Sequence, residues 1–416
     1  MKKRIRIALT ALIAGFLPSS NLFSNPGPFD GKNFRGRIAY SSDGNHNDPD
    51  DWASSPIVLA LFAEFGVKEK LVHFDYNSIL TNTHAEWEKT NAEGVLGAAE
   101  HYRYDKRRFH DCRQALDAAL ASIVKAVNES TAPNPLYFIV AGPMQVPVMA
   151  LLKSNPEARK HVYVISHSNW NDGLVTRYSF KNTKRDIIAL GVNWIQICDQ
   201  NRLLAFSQYG KPAQPPEFQP YFWMRDSTDP KVRFLWERMV VSTRPDPSDS
   251  GMAYFLMTGD EEADPAKYKR LLAEKVVPKP TDFRSVVRLE AENFMTLDGY
   301  ELDITDNTAS HRTGIKPSDG SSAGRVRTVF RQPYTAPQGR YDMEVRYFNE
   351  QGRRSRFVMS VNGKTRGDAW DSAGTGQGWT SHTIRDIEVS TGDEIAVDVS
   401  GQPVRLDYIQ LNLRSR

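Results

Sequence analysis

Residues 41–51, SSDGNHNDPDD, bring Asp43, Asp48, Asp50 and Asp51 together with Asn45, His46 and Asn47 in eleven positions. Carboxylates at that density repel one another unless water surrounds them or a cation lies among them. Oxygen donors suit a hard divalent ion. The apolar run that follows puts Asp50 and Asp51 at the start of a helix, where negative charge is tolerated. The plain alternative is a solvated turn in which Asp50 or Asp51 only caps that helix. An EF-hand is excluded, because the stretch lacks the Gly-containing loop and the glutamate at its twelfth position. Other polar groups that could serve a reaction are His84, Glu86, His167 and Asp172.

Strands must aim such residues. RGRIAY, LVHFDYN, PLYFIVAG and HVYVISHS read as strands, and DIIALGVNWIQIC as a further strand-like run. Between them, WASSPIVLALFAEFG has apolar positions at helical spacing, RRFHDCRQALDAALASIVKAVNES reads as one long amphipathic helix, and PMQVPVMALLKSNPEAR is helical after its prolines. The alternation predicts an α/β domain with a mainly parallel sheet and helices on both faces. Ligands of such sheets bind at the carboxyl ends of strands, which is where the acidic cluster, HFDYN, AGPMQ and SHSNWND fall. After residue 275 the pattern changes. VVPKPTDF reads as a Pro-containing linker, and short alternating runs from VVRLEAENF to VRLDYIQLNL predict an all-β sandwich of jelly-roll type. The expected division is 25–275, a linker at 276–284, and 285–416.

The 416 residues exceed one ordinary core, and a net charge of +3 is too small to imply a nucleic-acid or membrane partner. At the N-terminus, MKKRIR followed by the eleven apolar residues IALTALIAGFL and by PSSNLFSN reads as a signal peptide over 1–24. The run is too short to span a bilayer, so a secreted or periplasmic protein is expected. Two cysteines, Cys112 and Cys198, exclude a cysteine-based zinc site by count. They read as ordinary semi-buried residues, with a bridge as the alternative.

The first domain resembles the nucleoside hydrolase superfamily, whose mark is an Asp-x-Asp-Pro-Gly-x-Asp-Asp segment after the first strand. Asp43 matches the aspartate after the strand, and Asp50 and Asp51 match the pair that opens the helix. PLYFIVAGPMQVPVMALL resembles the family's strand–Gly-Pro-Leu-Thr-Asn–helix segment, with Gln145 where a threonine gives its backbone carbonyl to calcium. RPDPSDSGMAYFL resembles the segment with the last calcium aspartate, matched by Asp249, and Asn77 stands where the family has an asparagine after its second strand. The likeness spans roughly residues 34–275. It implies Ca2+ held by Asp43, Asp50, Asp51, Gln145 and Asp249, with Asp43 taking the proton of a bound water. Asn45, His46, Asn77 and Asn169 would contact the sugar, and His46, His84, Glu86, His167 and Asp172 are candidates for the leaving-group acid. The loop between Asp43 and Asp50 is longer than the family's, Ser248 stands where many relatives have histidine, and HSNWNDG replaces the segment that grips a ribose. These departures spare the carboxylates and change the sugar contacts, which implies a different glycosidic substrate.

VVRLEAENF and VRLDYIQL resemble the opening and closing strands of a family-6 type carbohydrate-binding module. That resemblance implies a structural Ca2+ held by Glu290, Glu292 and Asp407. Trp370 and Trp379, in the Gly-rich AWDSAGTGQGWT, are the expected exposed sugar platforms, with Asn349 and Gln402 as polar contacts. Taken together, the two resemblances imply a secreted glycoside hydrolase acting on a polysaccharide or oligosaccharide, with a marine galactan such as agar or carrageenan as the specific expectation. An exported nucleoside hydrolase and a non-catalytic glycan-binding protein stand as alternatives.

Overall fold

The computed structural model describes residues 28–30, 33–46, 49–81, 84–173, 182–207 and 211–415. The expected signal peptide and Asp48 lie outside the described residues. Six strands, β1 (Arg37–Ser42), β2 (Leu71–Tyr76), β3 (Phe109–Asp111), β4 (Leu136–Ala141), β5 (Val162–Ser166) and β6 (Asn193–Gln196), form one sheet in the order 3-2-1-4-5-6. Every neighbouring pair is parallel. Strand order reverses between β1 and β4, and a crevice opens at the carboxyl ends of strands on either side of such a switch.

Alternate residues of the strands feed two separate cores. Ile38 and Tyr40 of β1 pack with the helices Asp51–Glu64 and Ala85–His101, whereas Ala39 packs with Cys112–Asn128 and Gln145–Lys153. Helices thus cover both faces, as the alternating pattern predicts. The helix Asp51–Glu64 differs from expectation. It is buried on nearly every side from Asp51 to Phe62, because Pro230–Val241, Ser250–Thr258 and Pro265–Leu272 pack around it. Two further segments also depart from the sequence reading. The expected long helix from Arg107 starts late: Phe109–Asp111 pairs with β2, and Asp111 caps the helix by accepting from the backbone N–H of Arg113 and Gln114. The expected strand DIIALGVNWIQIC splits into a helix, Lys184–Ala189, and β6. Thr183 and Asp186 form a capping box that starts the helix ahead of the apolar run.

The C-terminal part is two antiparallel sheets around one core. In one, Ala323–Val329, Glu394–Gly401 and Ser355–Val361 are neighbours. In the other, Val286–Glu290 and Gln338–Asn349 flank Leu406–Ser415, and Gly378–Ser390 lies outside Gln338–Asn349. Inward and outward residues alternate along Gln338–Asn349, the period-two pattern of a strand with one buried face.

The two parts are joined by more than the connecting segment. Tyr334 of the sandwich belongs to the core beneath the Asp51–Glu64 helix, and its hydroxyl donates to the carbonyl of Leu256 at 2.7 Å. Gly259 ends the Ser250–Thr258 helix at φ 77°, and a Cβ there would lie 2.9 Å from the Tyr334 ring. Glycine therefore serves both the turn and the close approach. Within the expected linker, Thr281 N–H donates to Thr258 O at 2.8 Å, and the Arg284 guanidinium pairs with Glu261.

Truncating Tyr334 should therefore unsettle both parts. Tyr334→Ala is expected to cost on the order of 3–5 kcal/mol, as large aromatic truncations do, and Tyr334→Phe about 1 kcal/mol for the hydrogen bond. Urea melts followed by signals from each part should show one shared transition in the native chain. Separate, unshifted transitions would contradict this packing.

Candidate functional site

Asp43 is the first residue after β1, and its place is fixed by its own backbone. Its carbonyl accepts from Asn77 N–H at 2.9 Å and from Asn91 Nδ2 at 2.7 Å. Gly142, which follows β4 across the switch point, has no room for a side chain. A Cβ there would lie 2.8 Å from Asp43 Oδ1 and 3.0 Å from Asp43 N. Asp50 and Asp51 begin the buried helix, and Asp249 precedes the helix Ser250–Thr258. Carboxylate oxygens of Asp50, Asp51 and Asp249 lie within 4.8 Å of one another, and all three residues are buried.

Capping alone does not account for these residues. Asp50 has helical backbone angles (φ −64°, ψ −33°) and its carboxylate accepts from Asp51 N–H, the first amide of the helix. A capping aspartate has an extended backbone and reaches the second or third amide. Asp249 makes no side-chain cap either; it pairs with His167 Nε2 at 2.8 Å. Two helix N-termini aim at one group of buried carboxylates, and their dipoles offset part of the charge. The donor set is all oxygen, crowded and buried, which fits a hard divalent cation such as calcium.

The surroundings respond to the charge. Burial works against protonation of His167, but Asp199 and Asp249 outweigh it and hold the imidazole up to about 9. The Tyr40 phenol on β1 is pushed well above its ordinary value by burial first, then by Asp249, Asp51 and Asp50. It stays a neutral hydroxyl beside the cluster. Tyr40, Asn91 and Gly142 escape a sequence reading because nothing local marks them.

Around this centre the expected sugar contacts divide. Asn45 is buried and spent on Ile79, donating to its carbonyl at 2.9 Å and accepting from its N–H at 3.2 Å. Asn77, buried at φ 59°, accepts from Asn91 and donates to Asp111 Oδ2 at 3.0 Å. Both brace the loops and do not face a ligand, which corrects their assignment as sugar contacts. Asn169 is corrected likewise: it donates to the carbonyl of His311 in the sandwich. Gln145 is half-buried at the start of its helix, at the same sheet edge. His46 is half-buried, and burial, then nearby His84, holds it below its ordinary value. His84 and Glu86 are exposed where the Ala85–His101 helix begins. Trp87, unremarked in the sequence, lies between His84 and Trp52 with ring centroids 5.3 and 4.8 Å away. Trp52 in turn donates to Gly44 O at 2.7 Å. The acidic loop is thus walled by aromatic rings.

In the sandwich, Trp370 is not an exposed platform. It pairs in a short strand with Phe357 and is sandwiched between Phe357 (5.1 Å) and His382 (4.3 Å), both nearly parallel to it. Trp379 is half-buried at the start of a strand and donates to Thr308 Oγ1 at 2.9 Å. The Arg346 and Arg405 guanidinium groups lie 4.9 and 5.7 Å from its ring. Asn349 clamps the Gly-rich loop, donating to Thr375 O at 2.7 Å and accepting from Gly374 N–H at 3.0 Å. Gln402 is exposed and accepts from Arg354 N–H at 3.4 Å.

Glu290, Glu292 and Asp407 are buried together because the strand Val286–Glu290 pairs with Leu406–Ser415. Their partners differ from those of a calcium site. Asp407 accepts from Ser310 and pairs with Arg346. Glu290 accepts from Ser310 Oγ at 2.5 Å and lies 3.3 Å from His311 Nδ1. Glu292 lies 3.5 Å from the ammonium of Lys184, a residue of the first domain. The atoms that cluster are those of Glu290, Glu292 and His311, so a nitrogen takes the place expected for Asp407. Calcium takes oxygen ligands and is repelled by an adjacent ammonium, so this set does not fit it. Burial first, with neighbouring carboxylates, pushes both Glu290 and Glu292 above the usual carboxylate range; Lys184 opposes the rise in both. The cysteines are free, Cys112 buried and Cys198 partly so.

No protein-family model matches the chain. It is 28% identical over 245 residues to "Uncharacterized protein P22" of Formosa agariphila, covering 54% of this chain and 84% of that protein. It is 31% identical over 140 residues to "Probable alpha-glucuronidase A" of Aspergillus oryzae, covering 30% of this chain and 16% of that much longer protein. Among solved structures, a family 35 carbohydrate binding module from Clostridium thermocellum aligns with TM-score 0.26 and 19% identity, over 31% of this chain and 98% of the module.

Because Gly142 abuts the Asp43 carboxylate, Gly142→Ala should displace it. The expected cost is about 1–3 kcal/mol, the range for overpacking a filled site, read by urea denaturation. A neutral result would mean that Asp43 is not held against β4.

Proposed function

We propose that the chain is a carbohydrate-active enzyme, a glycoside hydrolase of nucleoside hydrolase-like design, exported from the cytoplasm and carrying a glycan-binding β-sandwich. One observation carries the reading: Asp50, Asp51 and Asp249 are buried with their oxygens within 4.8 Å, at the carboxyl edge of a parallel sheet. Carboxylates crowded and buried in that position are costly, and a fold built only to bind has little need of them. Similarity to an alpha-glucuronidase over part of the chain supports a carbohydrate substrate. No helix among the described residues is long and apolar enough to cross a membrane.

In this reading Asp50, Asp51 and Asp249, joined by Gln145 through its backbone, would hold calcium, which would acidify a water and orient sugar hydroxyls. Asp43 takes a proton from the water that attacks the anomeric carbon. As the new C–O bond forms, the glycosidic C–O bond breaks through a centre of oxocarbenium character, and the departing oxygen needs a proton. His167 is engaged by Asp249, and Asp172 by Ser166 and Lys184, so neither is the donor. That role is assigned to the His46 and His84 pair at the rim. Trp87 offers the apolar face on which a sugar ring rests.

Sugar release should be assayed across purified polysaccharides, agar and carrageenan among them, and across nucleosides, with and without chelator. Glycan cleavage that chelator abolishes is expected; release from nucleosides alone would transfer the site to the nucleoside hydrolase reading. Asp43→Ala should fold and lose turnover. Near-normal activity would remove Asp43 from the reaction.

Asp51→Ala separates the site from a cap. A lost cap costs about 0.5–2 kcal/mol and leaves chemistry intact. A lost ligand relieves repulsion in the metal-free protein, so stability holds or rises while turnover falls by orders of magnitude. A destabilised, fully active variant would sink the proposed function.

A further inference from the structure

Lys184 is fully buried, its ammonium 3.5 Å from Glu292 Oε1 and 3.7 Å from Asp172 Oδ2, and both of those residues are fully buried too. An ammonium so far from water is stable only against anions, and each carboxylate needs it in turn. Asp172 belongs to the loop after β5 and accepts from Ser166 Oγ at 2.6 Å, whereas Glu292 follows the first strand of the sandwich. The ion triad therefore crosses between the two parts. Its neighbours cross as well. Arg185 Nη1 donates to the carbonyls of Glu292 and Phe294 at 2.9 and 2.6 Å, and Asn169 donates to His311 O.

Lys184 and Arg185 occupy the first turn of their helix, the end where the dipole disfavours cations. Their placement there is explained by what they meet across the boundary. From these contacts we infer that Lys184 takes the place of a structural divalent cation in the sandwich, so that the Glu290–Glu292 pocket is closed by the neighbouring domain and not by calcium. The sandwich is then fastened to the α/β domain in one orientation. The segment after β5, which holds His167 against Asp249, is tied to Lys184 through Asp172 and to the sandwich through Asn169.

This inference does not depend on the proposed chemistry, and its test needs no substrate. The full chain is compared as native protein, Lys184→Met, Glu292→Gln and the double variant. Lys184→Met should lower Tm on the order of 10 °C, because it leaves Asp172 and Glu292 buried without their cation, and Glu292→Gln should lower it by less, because Lys184 keeps Asp172. Each should also open residues 276–284 to limited proteolysis. The double variant, which removes the ammonium together with one of its two carboxylates, should recover part of the Lys184→Met loss. A calcium arm uses the Asp50→Asn/Asp51→Asn protein, in which the other carboxylate cluster is disabled and Lys184 is intact. Calcium chloride and chelator should leave its Tm unchanged, since a ligand that binds the native state raises Tm. A rise in Tm with calcium in that protein, or strictly additive losses in the double variant, would overturn the inference. Should Lys184→Met fail to fold, the calcium arm decides alone.

Discussion

Burying negative charge is the constraint on which the rest of this structure depends. Among the described residues, carboxylates cluster in two places, and both groups are buried away from bulk water. The fold answers each differently. At the sheet edge it brings two helix N-termini to Asp50, Asp51 and Asp249 and sets His167 behind them, held up to about 9. These supply partial charge and one cation to the group. In the sandwich, Lys184 and Arg346 stand directly against Glu292 and Asp407, and Ser310 donates to Glu290 and Asp407. The second arrangement has its cations covalently attached to the chain.

The architecture follows from the same problem. A helix carrying Asp50 and Asp51 at its start can bury them only if its whole length is covered. Helices that follow the last strand of the sheet provide that cover, and one of them begins next to Asp249. The late helices are thus both the lid of the core and the source of the last carboxylate. Tyr334 of the sandwich reaches the same core through the gap left by Gly259, so the cover itself extends into the second part of the chain.

Much of this was legible in the sequence where the signal is local. The strands of the parallel sheet follow apolar runs ended by polar residues, and the alternating β-region is unmistakable after residue 275. Asp43, Asp50 and Asp51 stand out because they are close in sequence. What was misread involves competition between local and distant partners. The Phe109–Asp111 segment reads as helix, yet β2 offers it an edge and Asp111 is a good cap. Trp370 sits among glycines, which suggests exposure, but Phe357 and His382 enclose it. Asn45 and Asn77 look like ligand contacts and are instead consumed by loop geometry. Lys184 was passed over because a lysine in a polar stretch reads as solvated. Its one local oddity is its position at the wrong end of a helix.

The boundary between the two parts consequently acts as a working element of the fold. A binding module on a flexible tether raises the local concentration of its target without fixing the angle of approach. Here the connecting segment is hydrogen-bonded to the Ser250–Thr258 helix, the Tyr334 ring lies in the first core, and a buried ammonium bridges two carboxylates across the junction. Rotating the sandwich would take Glu292 away from its ammonium, which is strongly unfavourable. The orientation of the sandwich relative to the acidic crevice is therefore set by the geometry of the junction.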